Sequence, residues 1–282
     1  MSSLFLYINN QFLPATDGSL PVSDLSIQRG YALFDYLKVV NGIPLYVDDH
    51  LDRLFHSAEQ LHLPIIHTRE ALKDIIRQLM QHNHQPHSGI RITLTGGNSP
   101  DGYSIAAPNL IISQSPLQLP TPEAVERGIK LMTYPHQRQL PHVKTTDYVM
   151  AIWLQLQVKE QGADDILYYN EASISECPRA NIFMVKEGKL ITPAQNILKG
   201  VIRKHVLQLA ADMLPVEERD IPLQELKLAE EVFITSTTKQ VLPVRQVDEV
   251  VLFKEGPGRI TTQLLHLLQE QQAAQYKQAA TV

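Results

Sequence analysis

Cysteine is almost absent from this 282-residue chain, which contains only Cys177. A single cysteine can form neither a disulfide nor a thiolate metal site within the chain, so we expect no metal and a reducing, cytoplasmic location. Long apolar runs are absent too, because no segment offers about 18 consecutive apolar residues and the N-terminus lacks a charged stretch followed by an apolar run. We therefore expect a protein that is neither exported nor inserted in a membrane.

Positive charge is also scarce. The 25 Lys and Arg residues are outnumbered by 30 Asp and Glu, which gives a formal net charge of −5 without any dense basic block. Nucleic acid as a main partner requires a concentrated basic face, so the composition favours a small-molecule ligand. A chain of this length forms one or two compact domains and can bury a large active site.

The N-terminal half alternates strand-like and helix-like patterns, which is typical of a mixed α/β protein. Strands are predicted over residues 5–8, 33–40, 90–95 and 109–113, with a hairpin turn at Asn41-Gly42 followed by a short strand. Two amphipathic helices come next. Asp48 or Asp49 can cap the first helix, and Thr68 can cap the second.

A proline-rich run divides the chain. Residues 114–123 contain prolines at positions 116, 120 and 122 and show no periodicity, which predicts an interdomain linker. The predicted domains are therefore 1–113 and 124–282. The second domain should contain a helix after Lys144, short strands over 165–186, a helix from Gly200, strands near Val232 and Val241, and a closing amphipathic helix.

Four segments of the second half carry residues suited to chemistry. They are His142-Val-Lys-Thr-Thr-Asp-Tyr148, Ser173-Ile-Ser-Glu-Cys-Pro-Arg-Ala-Asn-Ile-Phe183, Leu198-Lys-Gly-Val-Ile-Arg203 and Phe233-Ile-Thr-Ser-Thr-Thr238. The third reads as a loop entering a helix, whose first N–H groups can bind an anion, and the fourth places hydroxyls at a strand end. Taken singly, each has an ordinary alternative: a solvated lysine, an exposed loop acid, or a hydroxyl-rich turn.

In this order and spacing the four segments resemble the class IV aminotransferases, which include branched-chain aminotransferase, D-amino acid aminotransferase and aminodeoxychorismate lyase. The N-terminal half adds Arg29-Gly-Tyr-Ala-Leu-Phe-Asp35 and His50-Leu-Asp-Arg-Leu-Phe-His-Ser-Ala58, which look like two further family segments. The resemblance implies fold type IV, a two-domain mixed α/β fold with pyridoxal 5′-phosphate in the cleft between the domains. It also implies a homodimer in which the partner subunit completes the site.

The resemblance assigns cofactor-binding roles. Lys144 corresponds to the Schiff-base lysine and catalytic base, and Glu176 to the acid that pairs with the pyridine nitrogen. Arg53 matches the phosphate-binding arginine, although it could instead form a surface ion pair with Asp49 or Asp52. The remaining cofactor contacts implied are Val201, Ile202 and Thr237 at the phosphate, Leu198 against the ring and Tyr148 at the phenolic oxygen. Ile202 stands where many members have threonine, so one hydroxyl contact is absent.

The segments that the family places near the substrate contain Arg29, Arg91, Phe34 and Thr238. D-amino acid enzymes usually hold the substrate carboxylate with an Arg-x-His element, whereas this chain has Asp101 and Tyr103 in that region. Branched-chain enzymes tend to carry Tyr-Gly-Thr where this chain has Arg29-Gly-Tyr. We therefore expect Arg29 and Arg91 to bind the carboxylate, with a structural ion pair or a half-exposed strand position as the alternatives.

Three activities stay open, in order of preference. They are transamination between a D-amino acid and a 2-oxo acid such as 2-oxoglutarate or pyruvate, transamination of L-branched-chain amino acids, and lysis of aminodeoxychorismate. A non-catalytic binding module is a fourth alternative, and the intact pair of Lys144 and Glu176 argues against it.

Overall fold

The computed structural model describes residues 4–253 and 256–279. Contacts divide the chain into two compact units. The first comprises Met1–Gln118 together with Val143–Asp147, and the second comprises Leu119–His142 and Tyr148–Val282. The five residues around Lys144 thus belong to the first unit, although the chain on both sides of them belongs to the second.

The first unit is a mixed α/β layer. Its strands are β1 (Phe5–Ile8), β2 (Gln11–Pro14), β3 (Ala32–Val40), β4 (Ile43–Pro44), β5 (Ser88–Thr95) and β6 (Leu110–Pro116), and its helices are α1 (Leu25–Arg29), α2 (Val47–Gln60) and α3 (Arg69–Asn83). The strands form one sheet in the order β2-β1-β6-β5-β3-β4, and every neighbouring pair is antiparallel.

Strand β3 separates two kinds of side chain, because successive residues of a strand point to opposite faces. Leu33, Leu37 and Val39 join the buried cluster that includes Leu51 of α2. Asp35 lies two residues from both Leu33 and Leu37, so it shares their face of the strand, and it is itself 0% exposed. A carboxylate therefore faces the helix layer of the sheet, and Phe34 faces the opposite side.

The segment Val143–Asp147 continues the sheet along β3. Strand β4 pairs only with Val39 and Val40, and Thr145 forms an antiparallel bridge with Leu33 further along β3. Val143 is 0% exposed and belongs to the core of the first unit. Burial of this valine and pairing with β3 explain why the lysine-bearing segment is part of the first unit.

The second unit surrounds a larger mixed sheet. Its strands are β7 (Ile129–Pro135), β8 (Asp165–Asn170), β9 (Ser173–Ile174), β10 (Glu176–Cys177), β11 (Ala180–Lys186), β12 (Lys189–Thr192), β13 (Val216–Glu218), β14 (Ile221–Pro222), β15 (Glu231–Ser236), β16 (Gln240–Val247) and β17 (Val250–Val251). Its helices are α4 (Pro122–Arg127), α5 (Val149–Trp153), α6 (Gln155–Glu160), α7 (Val201–Ala211) and α8 (Arg259–Ala279), with a 3-10 helix at Leu223–Leu228. The order is β13-β12-β11-β15-β16-β7-β8-β9-β14, with β10 beside β11 and β17 beside β16.

Several local predictions agree with the structure. The Asn41-Gly42 turn has φ values of 54° and 77°, as a two-residue hairpin of this hand requires. Thr68 caps α3 by accepting a hydrogen bond from the Ala71 N–H. Within the described residues, no helix combines the length and the apolar character needed to cross a membrane.

Three local predictions differ from the structure. Helix α2 begins at Val47 after Tyr46, which has φ 53° and provides no side-chain cap, so neither Asp48 nor Asp49 caps it. The single helix predicted after Lys144 is two short helices, α5 and α6, and the first begins at Val149, after Tyr148. The predicted linker, residues 114–123, overlaps the end of β6 and the start of α4, because strand pairing with β5 continues to Pro116.

Candidate active site

Lys144 is held by its backbone to two elements of the first unit. Its carbonyl accepts a hydrogen bond of 3.0 Å from the Phe34 N–H of β3, and its own N–H donates to Ser57 Oγ of α2 at 3.3 Å. Its Nζ lies 4.6 Å from the centroid of the Phe34 ring. The side chain is half-buried, so this amine combines a fixed position with access for a reactant.

Arg53 binds a carboxylate that the sequence did not suggest. Its Nε and Nη2 donate to Asp35 Oδ2 and Oδ1 at 2.8 and 2.9 Å, and the exposed Asp52 pairs with Arg69 instead. Burial is the largest single influence on the pKa of Asp35 and favours a raised value, but the charges of Arg53 and His50 and their hydrogen bonds together outweigh it and hold the pKa well below its ordinary value. The alternative of a surface ion pair with Asp49 or Asp52 is therefore wrong.

His50 completes this buried cluster. Its Nδ1 lies 2.7 Å from Asp35 Oδ1, and the side chain is 1% exposed. Burial lowers the pKa of His50 below its ordinary value in spite of the nearby carboxylate. His50 and Arg53 are three residues apart and therefore lie on one face of α2. Both contact Asp35 of β3, so these contacts connect α2 to β3.

Arg91 lies beside the same aromatic ring as Lys144. Its Cζ is 3.7 Å from the Phe34 centroid, and its Nε donates to Thr93 Oγ1 at 3.3 Å. Arg91 pairs with Tyr36 and Thr93 pairs with Phe34 across the two strands, so all four side chains share one face of the sheet. Arg91 is half-buried, as one of the alternatives anticipated.

Arg29 is separate from this group. It is the last residue of α1 and is exposed, and its Nη1 donates to the adjacent Gln28 carbonyl at 3.0 Å. This contact of Arg29 is thus local to α1, whereas Arg91 contacts the Phe34 ring on the face of the sheet.

Glu176 in the second unit is a buried, fully engaged carboxylate with 5% exposure. Its Oε1 accepts a hydrogen bond from Arg138 Nε at 3.0 Å, and its Oε2 accepts one from the Leu198 N–H at 2.9 Å. An ordinary exposed loop acid is thus excluded. Arg138 comes from an irregular stretch before Lys144, and its ion pair with Glu176 is largely buried.

The N-terminus of α7 is shaped by close contacts around Gly200. Asn181 Nδ2 donates to the Leu198 carbonyl at 2.7 Å, and a Cβ on Gly200 would lie 2.3 Å from Asn181 Oδ1. Only glycine fits here without displacing Asn181. Val201 and Ile202 occupy the first turn, where backbone N–H groups have no partner within the helix.

The hydroxyl-rich turn follows β15. Thr237 and Thr238 are half-buried, and the Oγ1 of the buried Thr235 has no hydrogen-bond partner among the described residues. Thr235 pairs with Asn181 across the strands, so the turn leaves from the neighbourhood of Leu198 and Gly200. Tyr148 is a half-buried residue of the second unit.

The site residues thus fall into two groups. Lys144, Arg53, Phe34, Arg91 and the exposed Arg29 lie in the first unit. The other residues expected at the ring and the phosphate, together with Thr238, lie in the second unit: Glu176, Leu198, Val201, Ile202, Thr237 and Tyr148.

Sequence reasoning assigned no role to Asp35, His50, Arg138 or Asn181. Two of these left a signal: Asp35 interrupts an apolar strand, which is informative because buried charges are paired, and His50 precedes Arg53 by one helical turn. Arg138 left none, since nothing near it in sequence marks its partner.

Comparison with known proteins identifies the family of this chain. The model of the family "Amino-transferase class IV" matches residues 32–247. A "Putative branched-chain-amino-acid aminotransferase" of Methanocaldococcus jannaschii is 29% identical over 92% of this chain and 93% of its own length. A "D-alanine aminotransferase" of Bacillus licheniformis is 26% identical over 93% of this chain and 94% of its own.

A solved structure agrees in fold. The branched-chain amino acid aminotransferase of T.th. with pyridoxamine 5′-phosphate superposes with a TM-score of 0.87 at 22% identity, over 95% of this chain and 93% of that one. The chain belongs to the class IV aminotransferases and has the fold type IV architecture. It is an aminotransferase whose substrate these relatives leave open, since their names cover both branched-chain amino acids and D-alanine.

Proposed function

We propose that this protein is a pyridoxal 5′-phosphate-dependent transaminase that moves an amino group between an amino acid, with D-amino acids favoured, and a 2-oxo acid such as 2-oxoglutarate or pyruvate. The observation that carries the proposal is the pair of cations on one ring: Lys144 Nζ and Arg91 Cζ lie 4.6 and 3.7 Å from the Phe34 centroid. An amine that reacts with the substrate and a guanidinium that can bind its carboxylate belong close together.

The side chains fit the chemistry of the cofactor. Lys144 supplies an amine for covalent attachment, and Arg53 and the first N–H groups of α7 supply donors for a phosphate. Thr237 adds a hydroxyl, Leu198 an apolar surface for the ring, and Tyr148 a phenol for its oxygen substituent. Pyridoxal phosphate, when bound, accepts the electrons left at the substrate Cα when a proton departs.

The residues of the chain act around that chemistry. Lys144, when its amine is not attached to the cofactor, would take the proton from the substrate Cα. Glu176 would hold the ring nitrogen in its protonated form, and Arg138 and the Leu198 N–H keep its carboxylate oriented. Arg91 would bind the substrate carboxylate, with Thr238 and Phe34 beside the substrate.

The preference for D-amino acids rests on the carboxylate site. Arg29 is exposed and makes no ion pair among the described residues, which suits an arginine that reaches the site of a partner subunit. We propose that it completes a clamp with the partner subunit's Arg91. Resemblance to the D-alanine aminotransferase of Bacillus licheniformis supports the same preference. L-branched-chain transamination is the second candidate, supported by the Methanocaldococcus jannaschii relative, and aminodeoxychorismate lysis is the third.

An exposed apolar stripe supports a homodimer. Val149, Ile152, Trp153 and Leu156 of α5 and α6 are 74%, 67%, 66% and 74% exposed, at the spacing that forms one helical face. Exposed apolar patches of this kind mark association surfaces. Light scattering should give a dimer for the wild type and a smaller species for Ile152→Glu. Ile66→Glu is the matched control, because Ile66 is 83% exposed but belongs to neither α5 nor α6.

The activity is tested with a panel of D- and L-amino acids against 2-oxoglutarate and pyruvate. We expect D-alanine or another D-amino acid to give the highest kcat/KM. Faster turnover of L-leucine would replace the D-preference with the branched-chain alternative. Pyruvate released from aminodeoxychorismate without a 2-oxo acid would identify the lyase, and a purified protein whose visible absorbance no amino acid changes would be a binding module. Fractionation of cells tests the proposed cytoplasmic location, which rests on the single buried Cys177.

A further inference from the structure

Asp35 holds the guanidinium of Arg53 by one edge only. The carboxylate accepts hydrogen bonds from Nε and Nη2 of Arg53. Arg53 Nη1 makes no hydrogen bond within the described residues. The Arg53 side chain keeps 12% exposure while Asp35 has 0%. The protons of Nη1 are therefore available to a ligand while the rest of the guanidinium is fixed.

His50 in turn fixes Asp35. An ionised carboxylate can only accept hydrogen bonds, so at the 2.7 Å separation His50 Nδ1 must be the donor. Asp35 is thus bound from two positions of α2, one helical turn apart, and these contacts together fix the plane of its carboxylate. Asp35 and His50 have no role in the function proposed above, and together they hold the Arg53 guanidinium in a fixed cluster of three side chains.

We propose that Asp35 is a positioning residue, held by His50, which presets the free edge of Arg53 for the phosphate of pyridoxal phosphate. The inference rests on the proposed cofactor. An arginine that is already ordered loses little side-chain entropy when it binds a ligand, so the contact is stronger than that of a mobile arginine. The backbone of Lys144 is hydrogen-bonded to the same two elements, β3 and α2. The packing of α2 on β3 therefore places Lys144 and Arg53 relative to each other.

Positioning and simple electrostatics predict opposite results for Asp35→Asn. Asp35 is negatively charged, so its removal adds one positive charge near the phosphate and would tighten phosphate binding if net charge alone mattered. If Asp35 positions Arg53, the same substitution weakens phosphate binding, because an asparagine amide cannot hold the guanidinium through two accepting oxygens.

The experiment measures the dissociation constants of pyridoxal and of pyridoxal phosphate. Their ratio, the constant for pyridoxal divided by that for pyridoxal phosphate, isolates the contribution of the phosphate to binding. Each purified protein is saturated with the cofactor, and the fraction retained after dilution is followed by absorbance. Asp35→Asn should reduce the ratio about tenfold or more, the size expected for lost charge-assisted hydrogen bonds. Asp52→Asn is the matched control, because it also removes one negative charge, next to Arg53 in sequence. The Asp52 carboxylate is 65% exposed and contacts Arg69, so this substitution should not change the ratio.

Arg53→Met sets the lower limit of the ratio. Asp35→Asn combined with Arg53→Met should give the same ratio as Arg53→Met alone, because Asp35 acts through Arg53. An unchanged or increased ratio in Asp35→Asn overturns the inference while leaving Arg53 as the phosphate ligand. An unchanged ratio in Arg53→Met instead refutes the proposed role of Arg53. If Asp35→Asn does not fold, His50→Leu provides the test. We expect His50→Leu to reduce the ratio as well, and an unchanged ratio would reject the positioning role.

Discussion

Lys144 and Phe34 are joined twice: the Phe34 N–H donates to the Lys144 carbonyl at 3.0 Å, and Lys144 Nζ lies 4.6 Å from the Phe34 ring centroid. The backbone hydrogen bond fixes the position of the Lys144 main chain, and the face of the Phe34 ring attracts the ammonium group at the end of the side chain. Since the Arg91 guanidinium contacts the same ring, one aromatic residue organises both groups that we expect to meet the substrate.

Lys144→Ala is expected to abolish covalent cofactor attachment and turnover, because no other lysine among the described residues contacts Phe34 and Ser57 in this way. Borohydride reduction followed by peptide mapping should locate the modified residue. Lys130→Ala is the control, since Lys130 donates to the Gln161 carbonyl in the second unit, and it should retain the modification. A reduced cofactor on Lys130, Lys159 or Lys38 would show that the assignment is wrong.

Glu176→Gln is expected to keep most of the cofactor binding and to slow proton transfer at the substrate Cα. The glutamine can still accept from the Leu198 N–H, but it lacks the charge that keeps the ring nitrogen protonated. Single-turnover rates should fall on the order of 10²-fold or more. Glu225→Gln removes a carboxylate paired with Arg219 and should leave the rate unchanged. Wild-type rates in Glu176→Gln would remove Glu176 from the mechanism.

Arg91→Ala and Arg29→Ala are each expected to raise KM for the amino acid and for the 2-oxo acid together, because both substrates carry the same carboxylate. The loss in kcat/KM should correspond to about 1.5–3 kcal/mol per charged hydrogen bond. The measurement compares D-alanine, L-leucine and a primary amine without a carboxylate. Equal losses for the amine and the acids, or none for either variant, would exclude the clamp.

Lys38 provides a test of stability against pH. It is 2% exposed, and burial lowers its pKa to about 8. Between that value and about 10.4, the ordinary lysine pKa, the unfolded chain binds more protons than the folded one, so the free energy of unfolding rises with pH. Below pH 8 the cost of burying the charge is present in full.

Lys38→Met should therefore raise the free energy of unfolding at pH 7 by up to about 3 kcal/mol and flatten its rise between pH 8 and 10. Chemical denaturation at both ends of this range measures the effect. Lys159→Met alters an exposed lysine and serves as the control. The same pH dependence in both variants would mean that Lys38 is not responsible.

Some features of this protein follow from the sequence alone, because they depend on residues close together in the chain. The Asn41-Gly42 hairpin and the Thr68 cap obey local backbone rules. The family could also be identified from the sequence, since Lys144, Glu176 and Thr237 stand at family spacing. The membership is confirmed by the family match over residues 32–247.

Tertiary structure alone decided which partners the charged groups take. Arg53 had acids nearby in sequence, yet it binds Asp35, 18 residues away, because α2 packs on the face of β3 that buries this carboxylate. Arg138 meets Glu176 across 38 residues, and Lys144 joins the first unit because Val143 is buried there and β3 has a free edge. Such pairings depend on which faces are buried together, and a carboxylate that packing has removed from water must take whatever cation the fold brings to it.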